Sequence, residues 1–450
     1  MIQIPSDVQI PASPPPCLAS NNGQDESQND FCEDVVSQNQ NGIHNMVTMS
    51  KRAGNCINPI RVILENLSIQ PNPCKPLVSL SQGDPSLYNL FPIHDEMKEA
   101  VINTVKSGKF NSYIPSAGLE SARQAIANQY IEQGIKIDWK NVFLTTGCTQ
   151  ALLWSIECLA DKGDNILIPK PCFPIYKTFA SMNGIEYRDY DLLPQNCWEI
   201  NLDHLESLID SKTKAVIINN PSNPCGSVYS KKHLLSFLKI VSKYNIPVIS
   251  DEVYAHFVFP GQTYHSIADL TSTVPIIMCN SLSKRYIVPG WRIGWVAIYD
   301  PLHCLGQVQE GINRFCQASF GVNSMIQASL PLILTKTPDS YFQNAVQLAY
   351  ENAQTITNAL EAVPGINPIF PQGSMFMMVH IALKCFPEFK NEYEMVERLI
   401  QEESVFPFPS SIFGINDYLR ISLIVPKDNA IVAAKRMSEF FKNHYKFHNS

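Results

Sequence analysis

Five short apolar runs between residues 142 and 278 do most to limit what this chain can fold into. They are Val142-Phe143-Leu144-Thr145, Asn165-Ile166-Leu167-Ile168, Ala215-Val216-Ile217-Ile218, Pro247-Val248-Ile249-Ser250 and Pro275-Ile276-Ile277-Met278. Each is apolar at successive positions, as a strand buried on both faces must be. Segments of helical period lie between and before them, over 95–106, 121–133, after Gln150 through Ala160, from about Ile175, over 202–209 and over 231–244. In the last of these Leu234, Leu235, Leu238 and Val241 recur at helical spacing. Strands buried on both faces and alternating with helices predict an α/β fold with a mostly parallel sheet flanked by helices.

After about residue 330 the pattern changes. A long helix over 340–363, strands over 375–381 and 418–424, and helices over 391–402 and 427–445 predict a smaller α+β domain. Residues 1–50 are rich in Pro, Ser, Asn, Gln and Asp and read as a disordered tail. The predicted organisation is that tail, an arm with part of the small domain over 51–94, a large domain over 95–330 and a small domain over 331–450. An active site is expected between the two domains.

Composition narrows the function. A formal net charge of −7 argues against a non-specific binder of nucleic acid or anionic membranes. No run approaches the ~18 apolar residues of a membrane span. The 13 cysteines include no CxxC pair, which fits reduced thiols. With no basic stretch and apolar core at the N-terminus, a cytoplasmic protein is expected. Asn66-Leu67-Ser68 is taken as a chance glycosylation match. His444 and His448 have i, i+4 spacing in a polar C-terminal segment without a carboxylate set, so they read as surface histidines and no metal is expected.

Four motifs carry chemistry. Thr146-Gly147-Cys148-Thr149-Gln150 joins a strand to a helix, where exposed N–H groups suit an anion, though taken alone a plain tight turn is the favoured reading. Ser281-Leu282-Ser283-Lys284 follows an apolar strand and precedes Pro289-Gly290-Trp291-Arg292-Ile293-Gly294-Trp295. A lysine kept neutral in such surroundings forms Schiff bases, and Arg292 offers a fork for phosphate. Asp251, in Asp251-Glu252-Val253-Tyr254, ends a buried strand, where open α/β sheets bind ligands; a helix cap or ion pair is the alternative. Asn220-Pro221-Ser222-Asn223-Pro224-Cys225-Gly226 is a turn.

In this order, and together with Gly83-Asp84-Pro85, Tyr113-x-Pro115-x-x-Gly118, Pro169-Lys170-Pro171-Cys172-Phe173 and Arg420, these motifs make the chain resemble a known family. It is that of the fold type I pyridoxal-phosphate-dependent aminotransferases, class I/II branch, over roughly residues 58–445. Asn58-Pro59-Ile60-Arg61, Leu80-Ser81-Gln82, Ser227 and the segment from Val288 to Trp295 resemble the subgroup that acts on tyrosine.

The resemblance implies pyridoxal 5'-phosphate as cofactor and Lys284 as its Schiff-base lysine. It places Asp251 on the ring nitrogen, Tyr254 and Asn223 on the 3′-oxygen, and Phe173 against the ring. Cys148, Thr149, Ser281 and Arg292 would hold the phosphate, joined by Tyr113 from the neighbouring subunit of a homodimer. Arg420 would grip the substrate α-carboxylate, with Gly83 and Asn223 nearby. The implied reaction transfers the amino group of L-tyrosine to 2-oxoglutarate by ping-pong exchange, as a step in tyrosine and phenylalanine catabolism; alanine, kynurenine or a broad aromatic set are the alternative donors. Two residues depart from the family pattern: Cys148, where a smaller residue or Ser is usual, and Gln82, where the subgroup is usually apolar.

Overall fold

The computed structural model describes residues 48–66 and 69–446. Most of the predicted tail, Leu67 and Ser68 of the glycosylation match, and His448 lie outside the described residues. Among the described residues the helices Lys51–Gly54 and Pro59–Asn66 come first and precede the sheet.

The strands in chain order are β1 (Val78–Ser79), β2 (Val142–Thr145), β3 (Asn165–Lys170), β4 (Glu186–Leu193), β5 (Glu199–Ile200), β6 (Thr213–Asn219), β7 (Val248–Asp251), β8 (Ile276–Ser281) and β9 (Gly294–Tyr299). They continue with β10 (Ile366–Ile369), β11 (Phe376–Ile381), β12 (Val405–Phe406), β13 (Phe408–Pro409) and β14 (Tyr418–Ser422). Eight of them form one sheet in the order β2-β9-β8-β7-β6-β3-β4-β5.

Alternate residues of the central strands face opposite sides, and both sides are buried. Ile166, Ile168, Ile217, Ile249 and Ile277 pack with Ala151, Trp154 and Phe179 of the helices Cys148–Leu159 and Ile175–Met182. Leu167, Val216, Val248, Ile276 and Met278 pack on the other side with Ile126 of Glu120–Glu132 and with Leu234 and Phe237 of Lys231–Lys243. This double burial is why the runs are continuously apolar.

Four of the seven pairings are parallel; β9 runs antiparallel to both β2 and β8, and β5 antiparallel to β4. The sequence reading missed β9 because its glycine and tryptophans read as a loop. The flip at β9 leaves β2 pointing the same way as β8, so the carboxyl ends of β2, β3, β6, β7 and β8 share one edge.

A four-stranded antiparallel sheet, β10-β11-β14-β13, covers that edge's neighbourhood from the C-terminal part of the chain. It shares a core with Ile356 of the helix Asp339–Glu361 and with Ala433 and Met437 of Lys427–His444. The short β1 pairs in parallel with β12, tying the residues before the large sheet to those after it.

His444 corrects the surface reading. Its side chain is 12% exposed, with Nδ1 3.0 Å from Glu388 Oε1 and Nε2 2.9 Å from Glu402 Oε2. The ring also packs on Phe389 and Phe440. The last helix lies against 388–402, so carboxylates distant in sequence meet the imidazole. Among the described residues no group of three or more His, Cys, Asp or Glu could hold a metal ion.

Candidate active site

The carboxyl edge of the large sheet opens on a cavity of about 680 Å³. Gly83, Cys148, Thr149, Phe173, Asn223, Asp251, Tyr254, Ser281, Lys284, Arg292 and Arg420 all line it. These are all the sequence-derived site residues except Tyr113. Each strand delivers one part: β2 runs into Gly147, β3 into Phe173, β6 into Asn223, β7 ends at Asp251, and β8 runs into Lys284. The opposite wall is Phe376 on β11, Phe408 on β13 and Arg420 on β14. Residues of the helix Pro59–Asn66 close one side.

One end of the cavity is built for an anion. Gly147 caps the helix Cys148–Leu159 at φ +77°, and a Cβ there would sit 2.5 Å from Arg292 Nη2. A Cβ on Gly294 would sit 2.6 Å from the Cys148 amide nitrogen. Two glycines therefore let a helix N-terminus and a guanidinium draw together. Arg292 donates to the carbonyls of Pro289 (3.0 Å) and Thr146 (3.1 Å), which fixes its fork without neutralising it. Ser281 Oγ sits alongside and accepts the Ser283 amide at 3.2 Å.

Lys284 Nζ donates to the Gly83 carbonyl at 2.5 Å. Burial brings its amine down to about 8; Asp84 opposes that shift, and the charges of Arg420 and Arg292 add to it. Gly83 must remain bare, because a Cβ would fall 2.4 Å from the Phe376 ring.

Asp251 is buried, yet its carboxylate is well supplied with donors. Tyr176 Oη–H donates to Oδ2 at 2.5 Å, the Val253 amide to Oδ1 at 3.2 Å, and the Cys148 thiol to Oδ1 at 3.6 Å. Burial raises its pKa, and these donors together with Lys284 act against the rise. Asn219 carries the β7 end to the turn: its Nδ2 donates to the Asp251 carbonyl (3.0 Å), and its Oδ1 accepts the Asn223 amide (2.6 Å). Tyr254 is buried edge-on to Phe376, and burial pushes its phenol far above the ordinary tyrosine value.

Arg420 is 2% exposed. Nη1 donates to Asn223 Oδ1 at 3.0 Å and Nη2 to the Ser81 carbonyl at 2.5 Å, while Nε has no partner among the described residues. Its guanidinium lies 4.1 Å from the Phe376 ring centre, 4.6 Å from Phe413 and 5.1 Å from Phe408. Burial lowers its pKa to about 9, and no carboxylate of the described residues offsets this. Tyr113 stands apart, 89% exposed and tilted against the exposed Phe320.

Sequence reasoning missed Tyr176, Asn219 and the Phe376–Phe408–Phe413 cage. Tyr176 had a weak signal: it follows Phe173 by three residues at the start of a helix, so both face one way. The aromatic cage is assembled by strand pairing between distant segments and had none. Cys148 was read for its backbone; its thiol also reaches Asp251.

The donor set fits a phosphorylated cofactor with an aldehyde and a basic ring nitrogen: a cradle that glycine Cβ atoms would fill, a buried amine, and a buried carboxylate. The chain belongs to the aminotransferase class I and II family, whose profile spans residues 75–437. It is similar to the tyrosine aminotransferase of Homo sapiens, at 41% identity over 400 residues covering 89% of this chain and 88% of that protein. The crystal structure of tyrosine aminotransferase from Leishmania infantum has a TM-score of 0.85 at 34% identity, over 89% of this chain and 100% of that one. Alanine aminotransferase from Pyrococcus furiosus has a TM-score of 0.81 at 31% identity, over 88% and 100%.

Proposed function

We propose that this chain is a pyridoxal-phosphate aminotransferase that moves the amino group of L-tyrosine to 2-oxoglutarate, giving 4-hydroxyphenylpyruvate and L-glutamate. The observation that carries an amino-acid substrate is Arg420, a buried guanidinium with an orphaned Nε and no carboxylate of its own, facing the same cavity as Lys284. A buried cation left without an anion is costly unless a ligand supplies one. The choice of tyrosine rests on the similarity to tyrosine aminotransferases.

When bound, pyridoxal 5'-phosphate supplies an electron sink for negative charge developing at the substrate Cα. The amides of Cys148 and Thr149, the Ser281 hydroxyl and Arg292 would hold its phosphate. Asp251 would keep a proton on its ring nitrogen, Asn223 and Tyr254 would hold its 3′-oxygen, and Phe173 would pack on its ring. Lys284 would hold it through Nζ. Its Nζ, an amine already lowered to about 8, would take the substrate Cα proton as general base and deliver it to the cofactor's aldehyde carbon as general acid. Arg420 fixes the α-carboxylate with a bidentate grip, beside Gly83 and Asn223.

The proposal includes a homodimer in which Tyr113 reaches the phosphate of the neighbouring subunit; its exposure beside Phe320 supports this. It also includes an N-terminal arm with part of the small domain over 51–94, a large domain over 95–330 and the rest of the small domain over 331–450, a cytoplasmic location and a role in amino-acid degradation. The free cysteines among the described residues fit a reducing compartment.

The test is the visible absorption of the purified protein, first with L-tyrosine alone and then with 2-oxoglutarate. A yellow band lost with tyrosine and restored by the keto acid supports the reading. A band that ignores tyrosine but responds to alanine or kynurenine moves the substrate. A protein that stays colourless with added pyridoxal phosphate overturns the reading.

A further inference from the structure

Beyond the residues that touch the proposed cofactor, one contact has no role yet. The Tyr176 hydroxyl meets Asp251 Oδ2 at 2.5 Å, the shortest of the three contacts to that carboxylate. That length is typical of a phenol bonded to an anion. Tyr176 is fully buried at the start of the helix Ile175–Met182, and its ring is held edge-on by Phe173 at 5.9 Å. Phe173 lies just before the helix and its carbonyl accepts the Tyr176 amide at 3.3 Å, so this one turn serves both the cavity wall and the carboxylate behind it.

The chemistry of the donors matters as much as the distance. An Asp 3% exposed is driven toward its neutral form, which could not hold a proton on a neighbouring base. A cation packed against it would restore the charge but also cancel its effect. Tyr176 and Cys148 are neutral donors, so they favour the anion and leave its charge uncancelled. Both are also locked as donors: burial first, and the Asp251 charge second, push each of their ionisations far above the ordinary values. Lys284 is a cation whose charge acts on Asp251, and Cys279, Tyr254 and Glu252 are the other titratable groups around it.

We infer that Tyr176 is a positioning residue for the transfer: its hydroxyl, seconded by the Cys148 thiol, keeps Asp251 ionised and fixed in orientation for the cofactor's ring nitrogen. This rests on the function proposed above.

The test uses the holoenzyme loaded with ring-¹⁵N pyridoxal phosphate. Two quantities are read in wild type, Tyr176→Phe, Cys148→Ala and Cys148→Ser: the ring-nitrogen chemical shift against pH, and the rate and affinity of the half-reaction with L-tyrosine by stopped-flow absorbance. In Tyr176→Phe the ring nitrogen's proton should pass in part to Asp251, so its signal should lie toward the neutral position across about pH 6 to 9, where wild type keeps the protonated one. The half-reaction should slow by roughly ten- to a hundredfold, with tyrosine affinity changed by no more than about twofold. Cys148→Ala should slow it by about threefold, because a thiol is a weak donor, and Cys148→Ser should restore the rate. A Tyr176→Phe protein with the wild-type shift and rate overturns the inference. Should that variant fail to fold, Tyr176→3-fluorotyrosine keeps the shape and sharpens the donor; its ring-nitrogen signal must lie further toward the protonated position than wild type's, and an unchanged signal overturns the inference equally. Wild type that takes up no cofactor would remove the proposed function itself, whereas working wild type beside an unchanged variant removes only the role of Tyr176.

Discussion

Asp251 on the eight-stranded sheet and Arg420 on the four-stranded sheet face one cavity and are almost equally buried, at 3% and 2% exposed. Their surroundings differ. Asp251 receives a phenol, an amide and a thiol from its own chain. Arg420 has two oxygen acceptors, three aromatic rings and a nitrogen with no partner among the described residues. The chain completes the hydrogen bonding of one ion and leaves the other short of its counter-charge. That is the arrangement expected if one ion serves a resident group and the other waits for a substrate that comes and goes.

The strongest way to break the comparison is to remove the amine whose charge interacts with both ions. Lys284→Ala should cut turnover by at least about ten-thousandfold, since the amine serves as both attachment point and proton carrier. Steady-state assays with L-tyrosine and 2-oxoglutarate read this, and retained turnover would refute the role of Lys284. Asp251→Ala comes next. It should slow the tyrosine half-reaction by at least about a thousandfold while substrate affinity holds, because it removes charge control rather than a substrate contact. A near-normal rate would mean that the donors around Asp251 serve only the fold.

Arg420→Met sharpens the contrast. If Arg420 is completed only by ligand, its loss should lower kcat/KM for tyrosine by about a hundred- to a thousandfold. The cofactor-free protein should at the same time keep its stability or gain about 1 kcal/mol, because a buried unpaired charge gives way to an apolar side chain. Thermal unfolding of the cofactor-free form reads the second effect. A clear loss of stability would show that the guanidinium is satisfied by its cage.

Much of this site was legible in the sequence because its parts lie just after apolar strands. Asp251, Asn223, Lys284 and Gly147 each follow a run whose double burial announces a central strand, and a parallel sheet gathers those ends at one edge. The strand β9 was hidden because Gly294 and Trp295 do not look like a strand; Gly294 is required there by the close approach of the Cys148 amide. The Arg420 cage was hidden for another reason. Phe376, Phe408 and Phe413 come from segments joined only by antiparallel pairing of β11, β13 and β14 and by the turn after β13, and nothing local in any one of them predicts the partner. Residue identity along one strand was readable; cross-chain assembly of a charged pocket was not.

The smallest predicted effect ties the two ions to the lysine. Burial is the main cause that brings Lys284 down to about 8, and the positive charge of Arg420 adds to it. Below that pH the amine is mostly ammonium and has no lone pair for an aldehyde. Loading of the cofactor-free protein with pyridoxal phosphate, followed by absorbance, should therefore speed up by about tenfold per pH unit up to about 8 and level off above it. In Arg420→Met a like charge is gone, the ammonium form is less disfavoured, and the levelling point should move to higher pH. A levelling point that stays fixed would mean that Lys284 does not sense Arg420, and that burial alone tunes the amine.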